Sequence, residues 1–159
     1  MGKIFKIDEL VKFREKAKIK GRKVVFTNGC FDILHRGHVE LLEKAKRLGD
    51  FLIVALNSDS SMKKIKGEKR PILDEDDRAY ILTSLKCVDA VCLFDEETPA
   101  EIINKLKPDI LVKGGDYKIN EVVGRESVYN VGGEVVTIPL VEGKSTKGII
   151  EKIIKSYCK

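Results

Sequence analysis

A chain of 159 residues with 43% hydrophobic content can bury one sizeable core, and no stretch of it reaches the length of a membrane span. The opening Met1-Gly2-Lys3-Ile4-Phe5 lacks a signal-peptide pattern, and four cysteines without paired spacing predict reduced thiols in a cytoplasmic protein. Thirty Lys/Arg against 25 Asp/Glu give a net charge of +5, which suits a polyanionic small molecule; with 6% aromatic residues it argues against nucleic acid.

Strand and helix signals alternate along the chain. A helix is predicted from Asp8 as N-cap to about Lys18, and a strand from Val24 to Asn28. The periodic stretch after His38 reads as a helix ending near Leu48-Gly49, with glycine as its stop. Phe51 to Leu56 is apolar on both faces, as a central parallel strand must be, and a polar segment from Asn57 to Leu73 follows it. Asp74 caps a helix running to about Leu85, and Ala90 to Phe94 is the third strand. Thr98-Pro99-Ala100-Glu101 reads as a capping box with proline at the first helical position. Ile110 to Val112 is the fourth strand, a short helix lies near Glu126 to Asn130, and Glu134 to Ile138 is the fifth strand. The last helix runs from about Ser145 to about Tyr157. The expected fold is α/β, a Rossmann-like, doubly wound, five-stranded parallel sheet. It forms a single domain over residues 1–159, with residues 1–22 as an N-terminal helical extension.

In such sheets ligands bind outside the carboxyl ends of the strands, and the polar clusters fall there. The only two histidines, His35 and His38, follow the first strand at or just before a helix N-terminus, where free N–H groups and the helix dipole attract anions. Gly37 between them is expected to let a phosphate approach the backbone. Zinc is a competing reading of the i, i+3 histidines with Cys30, and a structural cap is another. No Cys-x-x-Cys spacing and no further histidine supports the metal. Asn57-Ser58-Asp59 lies at the second strand's end and Lys113 to Tyr117 at the fourth's. Glu142 to Lys147 follows the fifth, with Ser145 and Thr146 as caps of a second phosphate-friendly helix start.

His35-x-Gly37-His38, together with Ser145-Thr146, resembles the nucleotidyltransferase superfamily that includes glycerol-phosphate cytidylyltransferase and pantetheine-phosphate adenylyltransferase. Thr27-Asn28-Gly29-Cys30-Phe31-Asp32-Ile33-Leu34-His35, Asn57-Ser58-Asp59, Lys66-Gly67-x-x-Arg70-Pro71 and Leu111 to Tyr117 narrow the resemblance to the adenylyltransferase domains that make ADP-heptose. The similarity spans roughly Val24 to Ile154. Leu140-Val141-Glu142-Gly143 stands where cytidylyltransferases carry Arg-Thr-Glu-Gly, which argues against CTP, and Lys147 replaces a second threonine.

The resemblance implies a sheet of the nucleotidyltransferase type and transfer of AMP from ATP, with Mg²⁺, to the 1-phosphate of D-glycero-β-D-manno-heptose, releasing pyrophosphate. It also implies a homodimer and a separate sugar kinase upstream. His35, His38, Lys66, Ser145 and Thr146 are the expected catalytic residues. Asn28, Gly29, Cys30, Phe31, Gly37, Arg70, Lys113, Gly114, Asp116, Ser145 and Thr146 are expected around the nucleotide, with Cys30 as a small loop residue and not a nucleophile. Asp32, Asn57, Arg78 and Tyr117 are assigned to the second substrate. The rival functions are a cytidylyltransferase for a polyol or amino-alcohol phosphate and a non-catalytic ATP-binding module.

Overall fold

The computed structural model describes residues 2–115 and 117–158. In chain order the elements are β1 (Lys3–Ile4), α1 (Ile7–Ile19), β2 (Val24–Gly29), α2 (Arg36–Lys46), β3 (Phe51–Asn57), α3 (Asp59–Lys66) and α4 (Glu75–Ser84). These are followed by β4 (Ala90–Phe94), α5 (Ala100–Leu106), β5 (Ile110–Gly114), a 3₁₀ turn (Ile119–Glu121), α6 (Arg125–Tyr129), β6 (Glu134–Ile138) and α7 (Thr146–Tyr157). All strand pairs are parallel, in the order β1-β4-β3-β2-β5-β6.

Alternate residues of the continuous apolar strands feed two cores. Phe26, Ile53 and Cys92 face Leu10 and Ala17 of α1, Ile102 and Ile103 of α5 and Val128 of α6. Val25, Leu52, Val54 and Val91 face Leu41, Leu42 and Ala45 of α2 and Ala79 and Leu82 of α4. Helices thus cover both faces of the sheet, as an all-parallel sheet requires. The Thr27 hydroxyl donates to the Val112 carbonyl at 3.0 Å and so ties β2 to β5 from a fully buried position.

Five expectations change. The sheet has six strands, because Lys3–Ile4 pairs with β4 (Lys3 opposite Ala90, Ile4 opposite Val91); two residues carry no periodicity to read. Helix α1 starts before Asp8: the Lys6 N–H is held by the Glu9 carboxylate at 2.8 Å, which makes Lys6 the N-cap. The polar segment after β3 contains α3, capped by Ser58, whose oxygen accepts from the Ser61 N–H at 3.2 Å. Its sequence is a poor helix former, but Ser61 and Met62 are 0% exposed and tertiary packing overrides propensity. Pro99, not Thr98, is the N-cap of α5 and makes no side-chain cap, so the capping box is absent. Helix α2 ends at Lys46, before Leu48.

Candidate active site

Strand β2 has β3 on one side and β5 on the other, and the connections leave it in opposite directions, first toward β3 and β4, later to β5 and β6. Such a switch point opens a crevice at the carboxyl ends of the strands. There the structure has a cavity of about 690 Å³. Asn28, Gly29, Cys30, Phe31, Asp32, His38, Asn57, Lys66, Arg70, Lys113, Tyr117 and Thr146, all expected from the sequence, line it. His35, Gly37, Gly114 and Ser145, also expected at the site, are not among the lining residues. Asp116 lies outside the described residues.

His35 is the N-cap of α2: its Nδ1 accepts the Gly37 N–H at 3.1 Å, so the proton of the neutral ring sits on Nε2. The two imidazoles stack at 3.9 Å and 24°, and the Phe31 ring meets His38 edge-on at 5.3 Å. Burial, and then the neighbouring His35, pushes His38 down to about 4 despite the nearby Asp32 carboxylate. Burial and Lys144 lower His35 as well. Both rings are therefore neutral at pH 7 and act as hydrogen-bond donors, not cations. Nδ1 of His38 is buried and has no hydrogen-bond partner among the described residues.

Gly37 has a different use from the one expected. A Cβ there would come within 3.0 Å of the His35 ring and 3.3 Å of the Lys144 Cβ, so its missing side chain makes room for the capping imidazole. At Gly114 a Cβ would lie 2.7 Å from Leu41, so that glycine serves the approach of α2 to β5. At the start of α7 the Ser145 oxygen accepts the Gly148 N–H at 3.0 Å, and the Thr146 hydroxyl donates to the Asp32 carbonyl at 2.7 Å. Both side chains are thus engaged within the protein.

Two side chains expected at the second substrate, Asp32 and Arg78, are enclosed within the protein. Arg78 is 1% exposed, and its Nε and both terminal nitrogens donate to protein acceptors. The Asp32 carboxylate is fully enclosed and accepts from Arg70, Ile72 and Leu73. Burial opposes its ionisation, but the Leu73 and Ile72 N–H groups and the Arg70 guanidinium outweigh that and hold it below the usual carboxylate range. Asn57 does face the cavity, with its amide donating to the Ser61 hydroxyl at 2.9 Å.

Four cations line the cavity: Lys66, Arg70, Lys113 and Lys147. Burial lowers the Lys113 ammonium, which sits 5.2 Å over the Tyr117 ring. Burial also raises the Cys30 thiol, which leaves it a poor nucleophile. All four cysteines are free thiols. Glu97 and Thr98 after β4, and Glu121 and Val122 after β5, also line the cavity, beyond the residues expected there. The β4 loop follows the same rule, that ligands gather at the carboxyl ends of parallel strands.

The fold is of the nucleotidyltransferase type. The chain belongs to the cytidylyltransferase-like family, whose model matches residues 26–152. It is 58% identical over 140 residues to the bifunctional protein HldE of Trichlorobacter lovleyi and 56% identical over 156 residues to that of Citrifermentans bemidjiense. Those matches cover 88% and 98% of this chain but only 28% and 32% of the relatives, so the chain spans about a third of their length or less. A solved lipopolysaccharide core biosynthesis protein from Thermoplasma volcanium is 33% identical with a TM-score of 0.63, covering 78% of this chain and all of that one. A pantoate-β-alanine ligase from Francisella tularensis shares the fold at 16% identity, with a TM-score of 0.64 over 98% of this chain and 80% of its own.

Proposed function

We propose that this chain transfers AMP from ATP to D-glycero-β-D-manno-heptose 1-phosphate, forming ADP-heptose and pyrophosphate for lipopolysaccharide core synthesis. The observation that carries the reading is the gathering of Lys66, Arg70, Lys113 and Lys147 around a neutral imidazole in one switch-point cavity. The likeness to HldE supports the choice of sugar.

A phosphate monoester has a second pKa of about 6, so the sugar phosphate arrives ionised and needs no general base. Its oxygen bonds to the α-phosphorus of ATP while the bond from that phosphorus to the β-bridging oxygen breaks. The difficulty is the charge that gathers on the transferring group and on the departing pyrophosphate. His38 and His35 donate hydrogen bonds to those oxygens, and the four cations neutralise them. Because the Thr146 hydroxyl is tied to Asp32, the backbone N–H groups of the first turn of α7 take the terminal phosphates. Fixed donors of this kind need no reorganisation during the reaction.

Among the described residues no group of three or more potential ligands forms a metal centre. The fit is to a Mg²⁺ carried in by the ATP phosphates, which contributes neutralisation of the triphosphate. In this reading a sugar kinase supplies the acceptor, and the reaction belongs to the cytoplasm, where ATP is available.

A screen of ATP and CTP against several sugar 1-phosphates, read by pyrophosphate release, tests this. Release with ATP and the heptose 1-phosphate is expected. Preference for CTP would make the protein a cytidylyltransferase, and ATP binding without any release would make it a binding module. In the same assay His38→Ala is expected to lose at least about a hundredfold in kcat while keeping its fold, as loss of one preorganised donor does.

A further inference from the structure

Two enclosed charges behind the cavity grip one residue from opposite sides. Asp32 accepts the Leu73 N–H at 3.0 Å, the Ile72 N–H at 2.9 Å and the Arg70 Nε at 2.8 Å. Arg78 gives its Nε to the Leu73 carbonyl at 3.0 Å. Its other nitrogens donate to the carbonyls of Cys30 at 2.7 Å and Asn57 at 2.9 Å, which close β2 and β3, and to the Asp59 carboxylate at 2.7 Å. Both side chains are 0% exposed, so neither can touch a ligand. The main-chain oxygen of Asp32 also receives the Thr146 hydroxyl. One residue therefore joins the β2–α2 loop, the segment that presents Arg70 to the cavity, and the first turn of α7.

We propose that Asp32 and Arg78 are positioning residues: together they clamp the segment Arg70 to Leu73, so that Arg70 stands ready in the cavity that His38 and Thr146 also line before any ligand arrives. The proposal rests on the reading of the chain as an ATP-dependent nucleotidyltransferase. A cation on a free stem must be ordered when the phosphate binds, at a cost in rotamer and loop entropy, whereas a clamped one has that cost met during folding. The clamp is sensitive to loss of either member, because each would strand several buried polar groups.

The test is a double-mutant cycle on the full chain with Asp32→Asn, Arg70→Ala and both, measuring ATP affinity by calorimetry and KM and kcat by pyrophosphate release. Asparagine keeps the shape but not the charge. Each single change is expected to weaken ATP binding and raise its KM by about tenfold, and the double to be no worse than about twofold beyond Asp32→Asn, since Arg70 is already unheld there. Costs that multiply, or an Asp32→Asn enzyme with unchanged KM, would overturn the clamp; a merely structural residue would lower the melting temperature and leave KM alone. Should Asp32→Asn not fold cooperatively, the same cycle with Arg78→Lys, which keeps the charge but not the four-way reach, decides by the same outcomes. A wild type that binds ATP yet releases no pyrophosphate with any acceptor would remove the transfer reaction, and the affinity cycle alone would then judge the clamp.

Discussion

The imidazoles of His35 and His38 are held neutral, and this sets a measurable pH dependence. His38 titrates near 4 in the fold and near its ordinary 6.5 in the unfolded chain, so below 6.5 the unfolded state binds the extra proton. Stability is therefore full above pH 6.5 and falls as the pH drops toward 4, by at most about 3 kcal/mol from this residue. His35, also lowered, adds in the same direction. Melting temperatures recorded between pH 7 and 4 should fall in the wild type and fall less in His38→Asn; equal slopes would show that burial of this ring is not the cause. The sequence made the chemistry of the site legible through residue type and position: histidines at a helix start, and cations beyond strand ends. It could not show engagement. Asp32 and Arg78 have the composition of ligand contacts, yet three and four bonds within the protein occupy them. Long-range hydrogen bonding of that kind leaves no local spacing to read.

Among the elements, the buried strands were the most readable, since continuous apolar runs such as Phe51 to Leu56 permit few alternatives; Ala90–Phe94 and Glu134–Ile138 match in both bounds. The misses are elements that neighbours create. Helix α3 is fixed by Ser61, whose hydroxyl donates to the Glu96 carbonyl at 2.6 Å, and β1 by its pairing with β4. The attachment of α1 also escaped the pattern. Arg14, 5% exposed, donates to the Lys107 carbonyl at 3.1 Å and to Asp109 at 2.7 Å, while Asp109 accepts the Val24 N–H at 2.8 Å. This junction lies at the amino ends of β2 and β5, away from the cavity. Arg14→Met should therefore destabilise the protein by about 1–3 kcal/mol in urea unfolding, since it strands polar groups of a part-buried pair whose Asp109 is 30% exposed. It should leave kcat unchanged. A kcat that fell with stability would mean that α1 supports the site directly.

For the molecule as a whole, the parallel sheet sends its site-forming loops to one edge, and the cavity lies over the switch point that the strand order creates. A ligand that binds only the folded state stabilises it by about 2.7 kcal/mol at a hundredfold excess over Kd, or about 5–10 °C in melting temperature for a chain of this size. ATP is expected to produce that rise and CTP a smaller one; equal shifts would remove the preference for adenine.

The two-residue strand β1 has a consequence for self-association. Phe5 donates its N–H to the Val91 carbonyl at 2.8 Å and Gly2 donates to the Thr83 carbonyl at 2.8 Å, so this short ribbon occupies the outer border of β4. Stripped of it, β4 would offer a bare row of amides and carbonyls to any passing extended chain, the template from which sheets stack between molecules. Keeping the protein dispersed thus falls in part to a strand of two residues whose own side chains are exposed.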